Sequence, residues 1–186
     1  MPAQTRLCLA LGLVAVFGSV EAAAEAPRFG VQVHGSLPLG DLKEAVDSKP
    51  GVGAGAHMTF DLGGGHMLRP RFDAVFFPEG TRDAVKTKAR DLSLGADYLY
   101  FPGGKPEGLY LTAGLGLHRR TVDTNAPAFG LSTSQSSSRF GVAAGLGFAF
   151  NPAVGAELRY VHTKFANQTA WDPTAPSLQA GVTFRF

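Results

Sequence analysis

The feature that most constrains this chain is a two-residue hydrophobic period that keeps returning, most cleanly in residues 176–186. There Leu178, Ala180, Val182, Phe184 and Phe186 alternate with Gln179, Gly181, Thr183 and Arg185. In an extended strand that pattern makes one face apolar and leaves the other polar or without side chains. The stretch ends on an aromatic residue. A ring in that position suits a bilayer interface, where it can sit at headgroup level, better than it suits water.

Seven earlier segments repeat the pattern. They run over residues 29–34, 52–62, 68–76, 92–100, 109–118, 140–150 and 154–160. In each, apolar residues alternate with Gly, Thr, His or charge. Strands of about ten residues are long enough to cross a bilayer when tilted. The connections alternate too. Those after the first, third, fifth and seventh segments are long and polar, near residues 37–50, 79–88, 120–137 and the stretch holding Trp171. Those after the second, fourth and sixth are short and built from Gly, Pro and Asn: residues 63–65, 102–106 and 151–152. Long loops at one end and tight turns at the other mark a membrane barrel with both chain ends on the turn side. The aromatics form two belts. Phe60, Tyr98, Tyr100, Phe148, Phe150, Phe184 and Phe186 fall at the turn end, and Phe76, Phe140 and Tyr160 at the loop end.

Composition narrows the alternatives. A chain of 186 residues holds one domain, and 17% charge lies below the usual quarter for soluble proteins. A net charge of +2 gives no electrostatic footprint for nucleic acid. A secreted soluble barrel would turn its apolar face inward, but about forty large apolar side chains exceed what eight strands can enclose. The apolar face is therefore predicted to be outside. Residues 1–24 carry Arg6, an apolar run and a small-residue site at Ala22, Ala23 and Ala24, the pattern of a cleaved signal peptide. Residues 25–186 are then the barrel domain. Cys8, the single cysteine, falls in the leader after a bulky Leu7, which argues against lipidation and leaves the domain without thiol chemistry.

With these residues in place, the chain resembles the small eight-stranded outer-membrane proteins of the OmpA and OmpX type, over the whole of residues 25–186. The resemblance rests on architecture and the terminal Thr183, Phe184, Arg185 and Phe186. It implies an all-β, eight-stranded antiparallel up-and-down transmembrane barrel in the cell outer membrane, in contact with lipid and lipopolysaccharide. It also implies that Val182, Phe184 and Phe186 are the signal read by the outer-membrane assembly machinery. It implies no cofactor, no metal and no nucleic-acid partner.

The inward face carries the candidate site. Asp61, Arg69, Arg71, Asp73, Asp97, Glu157 and Arg159 all have inward parity, with Arg185, and charges in a narrow lumen need partners. Parity across the glycine turn allows a register with Asp61 opposite Arg69 and His57 opposite Asp73. The cluster reads as a rigid filling, with a gate as the functional alternative. His34, His57 and His118 also point inward, but without metal-ligand spacing they read as hydrogen-bonding groups. His162 faces outward, faintly similar to the His-x-Ser-Asn of outer-membrane lipid A deacylases. Lys164 stands where the nucleophilic Ser would be and Phe165 replaces the Asn, so no hydroxyl is there to activate. Lys164 reads instead as a contact for anionic lipopolysaccharide. The functional expectation is a non-enzymatic barrel with a structural or surface-interaction role through its loops. A narrow solute channel is the second reading and a lipid-modifying enzyme the third.

Overall fold

The computed structural model describes residues 26–82, 85–126, 131–163 and 176–186. Its strands are β1 (Arg28–Pro38), β2 (Gly51–Gly63), β3 (His66–Arg82), β4 (Val85–Tyr100), β5 (Gly108–Ala126), β6 (Leu131–Ala149), β7 (Val154–Thr163) and β8 (Ser177–Arg185). One short helix, α1 (Gly40–Ala45), follows β1. Each strand is antiparallel to its sequence neighbours, and β8 pairs back to β1 to close an eight-stranded barrel. Closure removes the sheet edges, which no strand can leave open in hydrocarbon. The last strand is pinned from both sides, by Phe186 N–H donating to Phe29 O at 2.9 Å and Arg185 N–H donating to Ala153 O at 2.7 Å.

The faces follow the alternation. Leu94, Leu115 and Val142 stand outside with more than half of their surface open, while the inner face is polar. Leu146 points outward between Leu111 and Leu158. Its neighbour Gly145 points in, where an added Cβ would meet Arg159.

Three expectations need correction. The stretches read as loops at residues 79–88 and 120–137 are largely strand. β4 and β5 stay paired out to Lys86 opposite Asn125, and β5 and β6 out to Ala126 opposite Leu131. Among the described residues, β6 pairs with β7 only from Gly141 downward. The polar ends of β3 to β6 therefore stand above the apolar belt as a four-stranded sheet, where the ladder of hydrogen bonds continues after the alternation is lost. Second, His57 lies opposite Arg71 and Asp61 opposite Met67, with an irregularity between Asp61 and Gly63. The tighter glycine turn moves the register by two residues from the one expected, which leaves every face unchanged. Third, the stretch after β1 contains α1, placed between Asp41 in its first turn and Lys43 in its last, both favourable to the helix dipole. Asp47 and Ser48 follow in the left-handed region, at φ 56° and 59°, and reverse the chain toward β2.

Candidate functional site

The interior is organised in three layers. The middle one is ionic. Asp97 on β4 accepts from Arg69 at 2.8 Å, Arg71 at 3.0 Å and Arg159 at 2.9 Å. Glu157 on β7 takes Arg69 at 2.7 Å and lies 3.4 Å from both Arg71 and Arg159. Asp73 takes two donors of Arg71, at 2.6 and 2.8 Å, and the amide of Gln32 at 2.7 Å. Gln32 Oε1 in turn meets His57 Nδ1 at 2.5 Å. Tyr110 donates its hydroxyl to Glu157 at 2.9 Å. All of these side chains are buried. Three guanidinium groups thus balance three carboxylates on β3, β4 and β7, with Gln32 of β1, His57 of β2 and Tyr110 of β5 joined to them by hydrogen bonds. Buried charges hold such an arrangement because each has partners that replace its lost water.

Glycine makes the crossing room. A Cβ at Gly147 would overlap the Tyr110 ring, and one at Gly114 would overlap the Asp97 carboxylate. These two small positions let the side chains of their cross-strand partners lie flat over the neighbouring strand.

Apolar residues close the interior on either side. At the turn end Met67, Leu99, Phe101, Tyr110 and Ala149 form a buried cluster, with the Phe101 and Tyr110 rings tilted by 35° at a centroid distance of 4.8 Å. At the loop end Leu42 and Val46, from and just after α1, pack on Val75, Phe77, Ala89 and Val122. That plug is tied down. Leu39 N–H donates to Pro176 O at 2.9 Å, and Lys49 Nζ donates to Glu79 O at 2.6 Å. Between plug and ionic layer, Arg120 meets Asp91 at 2.7 Å, with His118 Nδ1 3.8 Å from the same carboxyl group. A cavity of about 30 Å³ remains there, bordered by Arg71, Asp73, Ser93, His118, Arg159 and Gln179. It is of the order of one water molecule.

Of the predicted site residues, Arg69, Arg71, Asp73, Asp97, Glu157 and Arg159 meet in one cluster. Asp61 does not join them. Its carboxylate caps the glycine turn by accepting from Gly63 N–H at 2.8 Å, because the two-residue register change puts it at the barrel rim. Arg185 is buried on the inner face near the turn end, opposite Gly30 of β1. His34, His57 and His118 are separate, and among the described residues no group of three His, Cys, Asp or Glu is placed to hold a metal ion. His162 stacks on Tyr160 at 6.3 Å. Lys164, Phe165 and Trp171 lie outside the described residues, as do residues 1–24. Phe184 and Phe186 face outward on the closing strand.

Sequence reading missed the two plugs and the Asp91–Arg120 pair. The signal was there in parity: Val75, Phe77, Ala89, Leu99 and Phe101 break the polar inner face with apolar side chains near the strand ends.

A closed barrel with an apolar outside and a charged, filled inside is an integral membrane β-barrel of the outer-membrane class. The chain belongs to the outer membrane protein beta-barrel domain family, whose model matches residues 9–186. Among solved structures it is similar to Ail, the attachment invasion locus protein of Yersinia pestis. That match has 17% identity and a TM-score of 0.62, covering 86% of this chain and 97% of that one. Neisserial surface protein A aligns with 17% identity and a TM-score of 0.57, over 89% and 100% of the two chains. The N-terminal barrel of Pseudomonas aeruginosa OprF aligns with 17% identity and a TM-score of 0.53, over 86% and 97%. No curated protein sequence gives a significant match. The protein is an outer-membrane β-barrel.

Proposed function

We propose that this barrel is a closed, non-enzymatic scaffold that holds an interaction surface outside the cell. In this reading residues 1–24 are an export signal removed in the mature protein. The loop end is extracellular and both chain ends are periplasmic, and Val182, Phe184 and Phe186 address the assembly machinery. The observation that carries the reading is the filled interior. An ionic layer crosses the lumen between two apolar plugs, while four strands project past the membrane belt. A solute channel needs the opposite arrangement, an open lumen with weakly held charges. The lipid-modifying reading has no Ser beside His162 to act as nucleophile.

The projecting sheet continues the barrel walls, and surface loops and hairpins on such a scaffold are where small barrels meet other molecules. Ail has been solved in complex with the heparin analogue sucrose octasulfate. Sulfated glycans are therefore the first partners to test here. The experiment pairs two measurements on the purified, refolded protein. Planar-bilayer recordings are expected to give no steady open state. Binding to immobilised sulfated glycans and host-surface proteins is expected to disappear when the β5–β6 hairpin above Arg119 is replaced by a short turn. A stable ion-selective conductance favours the channel reading, and binding that survives hairpin removal rejects the projecting sheet as the interaction surface.

A further inference from the structure

The outward face of strands β3 to β6 changes chemistry within a few rungs of the ladder. One rung, Phe72, Leu94, Leu117 and Phe140, is wholly apolar. The next outward rung is Ala74, Leu92, Arg119 and Ser138, and the one above it Phe76, Arg90, Thr121 and Ser136. Above these come Lys88, Asp123 and Ser134, and then Lys86, Asn125 and Ser132. Arg90 and Arg119 are exposed diagonal neighbours on adjacent strands, a relation that brings long side chains within reach of each other. Phe76 and Leu92 lie beside them on the same two rungs and Leu117 and Phe140 on the rung below, all large apolar side chains open to the outside.

The charges higher up are already answered. Lys86 and Lys88 reach Glu79 at 3.2 and 3.3 Å, and the Lys86 hydrogen bond leads in holding that carboxyl below its ordinary range. Asp123 lies opposite Lys88 and accepts from Ser134 at 2.6 Å. Arg90 and Arg119 have no carboxylate directly across the ladder from them: their cross-strand partners are Phe76, Thr121, Leu92 and Ser138, and Asp123, the other diagonal neighbour of Arg90, lies directly opposite Lys88 and is taken by Ser134. Two guanidinium groups side by side repel unless an anion joins them. Their place at the upper border of the apolar belt is the depth of lipid headgroups, and the planar guanidinium fork matches phosphate oxygens.

We propose that Arg90 and Arg119 form a binding site for the phosphate of an outer-leaflet glycolipid. The acyl chains lie along Phe76, Leu92, Leu117 and Phe140, and Ser136 and Ser138 face the sugar with hydroxyl groups. The site lies on the membrane-facing side of the sheet and needs no loop partner, but it rests on the loop end being extracellular. That orientation is read separately, by labelling a Ser134→Cys variant on intact cells with a membrane-impermeant maleimide.

The test uses full-length barrel refolded into phosphatidylcholine nanodiscs containing bisphosphorylated lipid A or its dephosphorylated form. Lipid retained on the protein is measured by native mass spectrometry. Wild type is expected to retain the phosphorylated form in preference. The R90Q/R119Q variant is expected to lose roughly thirtyfold in that preference, from about fivefold per arginine near a charged surface. K86Q/K88Q is expected to stay near wild type. The heat-dependent gel shift of folded barrels verifies that each variant is folded, and the single arginine variants carry the test if the double one does not fold. Retention unchanged in R90Q/R119Q, or equal retention of the dephosphorylated lipid, overturns the site. Displacement of lipid A from wild type by soluble heparin oligosaccharide also overturns it, assigning the pair to a water-borne polyanion. Labelling absent at Ser134→Cys with lipid preference intact removes the orientation and leaves the phosphate chemistry standing.

Discussion

Asp97 is the residue on which the interior turns, and Asp97→Asn is the change that tests it. The substitution keeps the shape and removes one negative charge from a buried layer of three arginines and three carboxylates. Asp97 holds Arg69, Arg71 and Arg159 at 2.8, 3.0 and 2.9 Å. Charge-assisted hydrogen bonds contribute about 1.5–3 kcal/mol each. The amide oxygen still accepts one of the three, and Glu157 still faces all three arginines. The net loss is therefore expected to match the breaking of one buried pair, about 3–5 kcal/mol. Urea unfolding from lipid vesicles, followed by the heat-dependent gel shift, measures it. The control is Asp97→Asn combined with Arg159→Gln, which restores two positives against two negatives. The double variant is expected to recover part of the loss, giving a coupling energy of opposite sign to the single effects. A loss below about 1 kcal/mol for Asp97→Asn, with no coupling, would mean that the side chains are individually hydrated. The account of a dry, interlocked filling would then be wrong.

Three further outcomes follow from the same geometry. Leu146→Arg places a cation on the lipid face between Leu111 and Leu158, and near the midplane it is expected to cost about 2–4 kcal/mol in the same unfolding assay; a neutral result contradicts the assigned face. Val46→Asp puts a charge at a fully buried position of the loop-end plug, so it is expected to release α1 and raise bilayer conductance above wild type. Wild-type conductance in that variant would show that the plug is not what closes the loop end. Deleting Phe186 is expected to lower the amount of folded protein in the outer membrane while periplasmic export continues, measured by fractionation, and unchanged insertion counts against the role given to the closing strand.

Much of this architecture was legible because a membrane barrel must show its faces in sequence. Leu94, Leu115 and Leu146 have to be apolar where lipid touches them, and Arg69, Arg71 and Asp97 cannot be on that side. Register was not legible, since pairings two residues apart keep every side chain on its face, and only the turn geometry separates them. The strand ends near residues 120–126 and 131–137 read as loop because polar residues such as Thr121, Asp123, Ser134 and Ser136 stand on one face and Arg120, Thr124, Gln135 and Ser137 on the other, which erases the alternation. The plugs were hidden for another reason. Leu42 lies on, and Val46 just after, a six-residue helix too short for a helical period, and their partners Val75 and Phe77 read as irregularities until the barrel closes around them.

The ionic layer also has a bearing on how such a barrel enters a membrane. Its longest link, Arg69 to Glu157, joins positions 88 residues apart, so the finished network exists only once the ring is nearly complete. The charges are nevertheless distributed so that each portion of chain arrives compensated. The β3–β4 hairpin brings Arg69 and Arg71 with Asp73 and Asp97, and β7 brings Glu157 with Arg159. A hairpin inserted ahead of the others therefore presents matched charges to hydrocarbon, where an unmatched one is costly. Neutrality piece by piece makes stepwise insertion compatible with an interior whose middle layer is, when complete, fully salt-bridged.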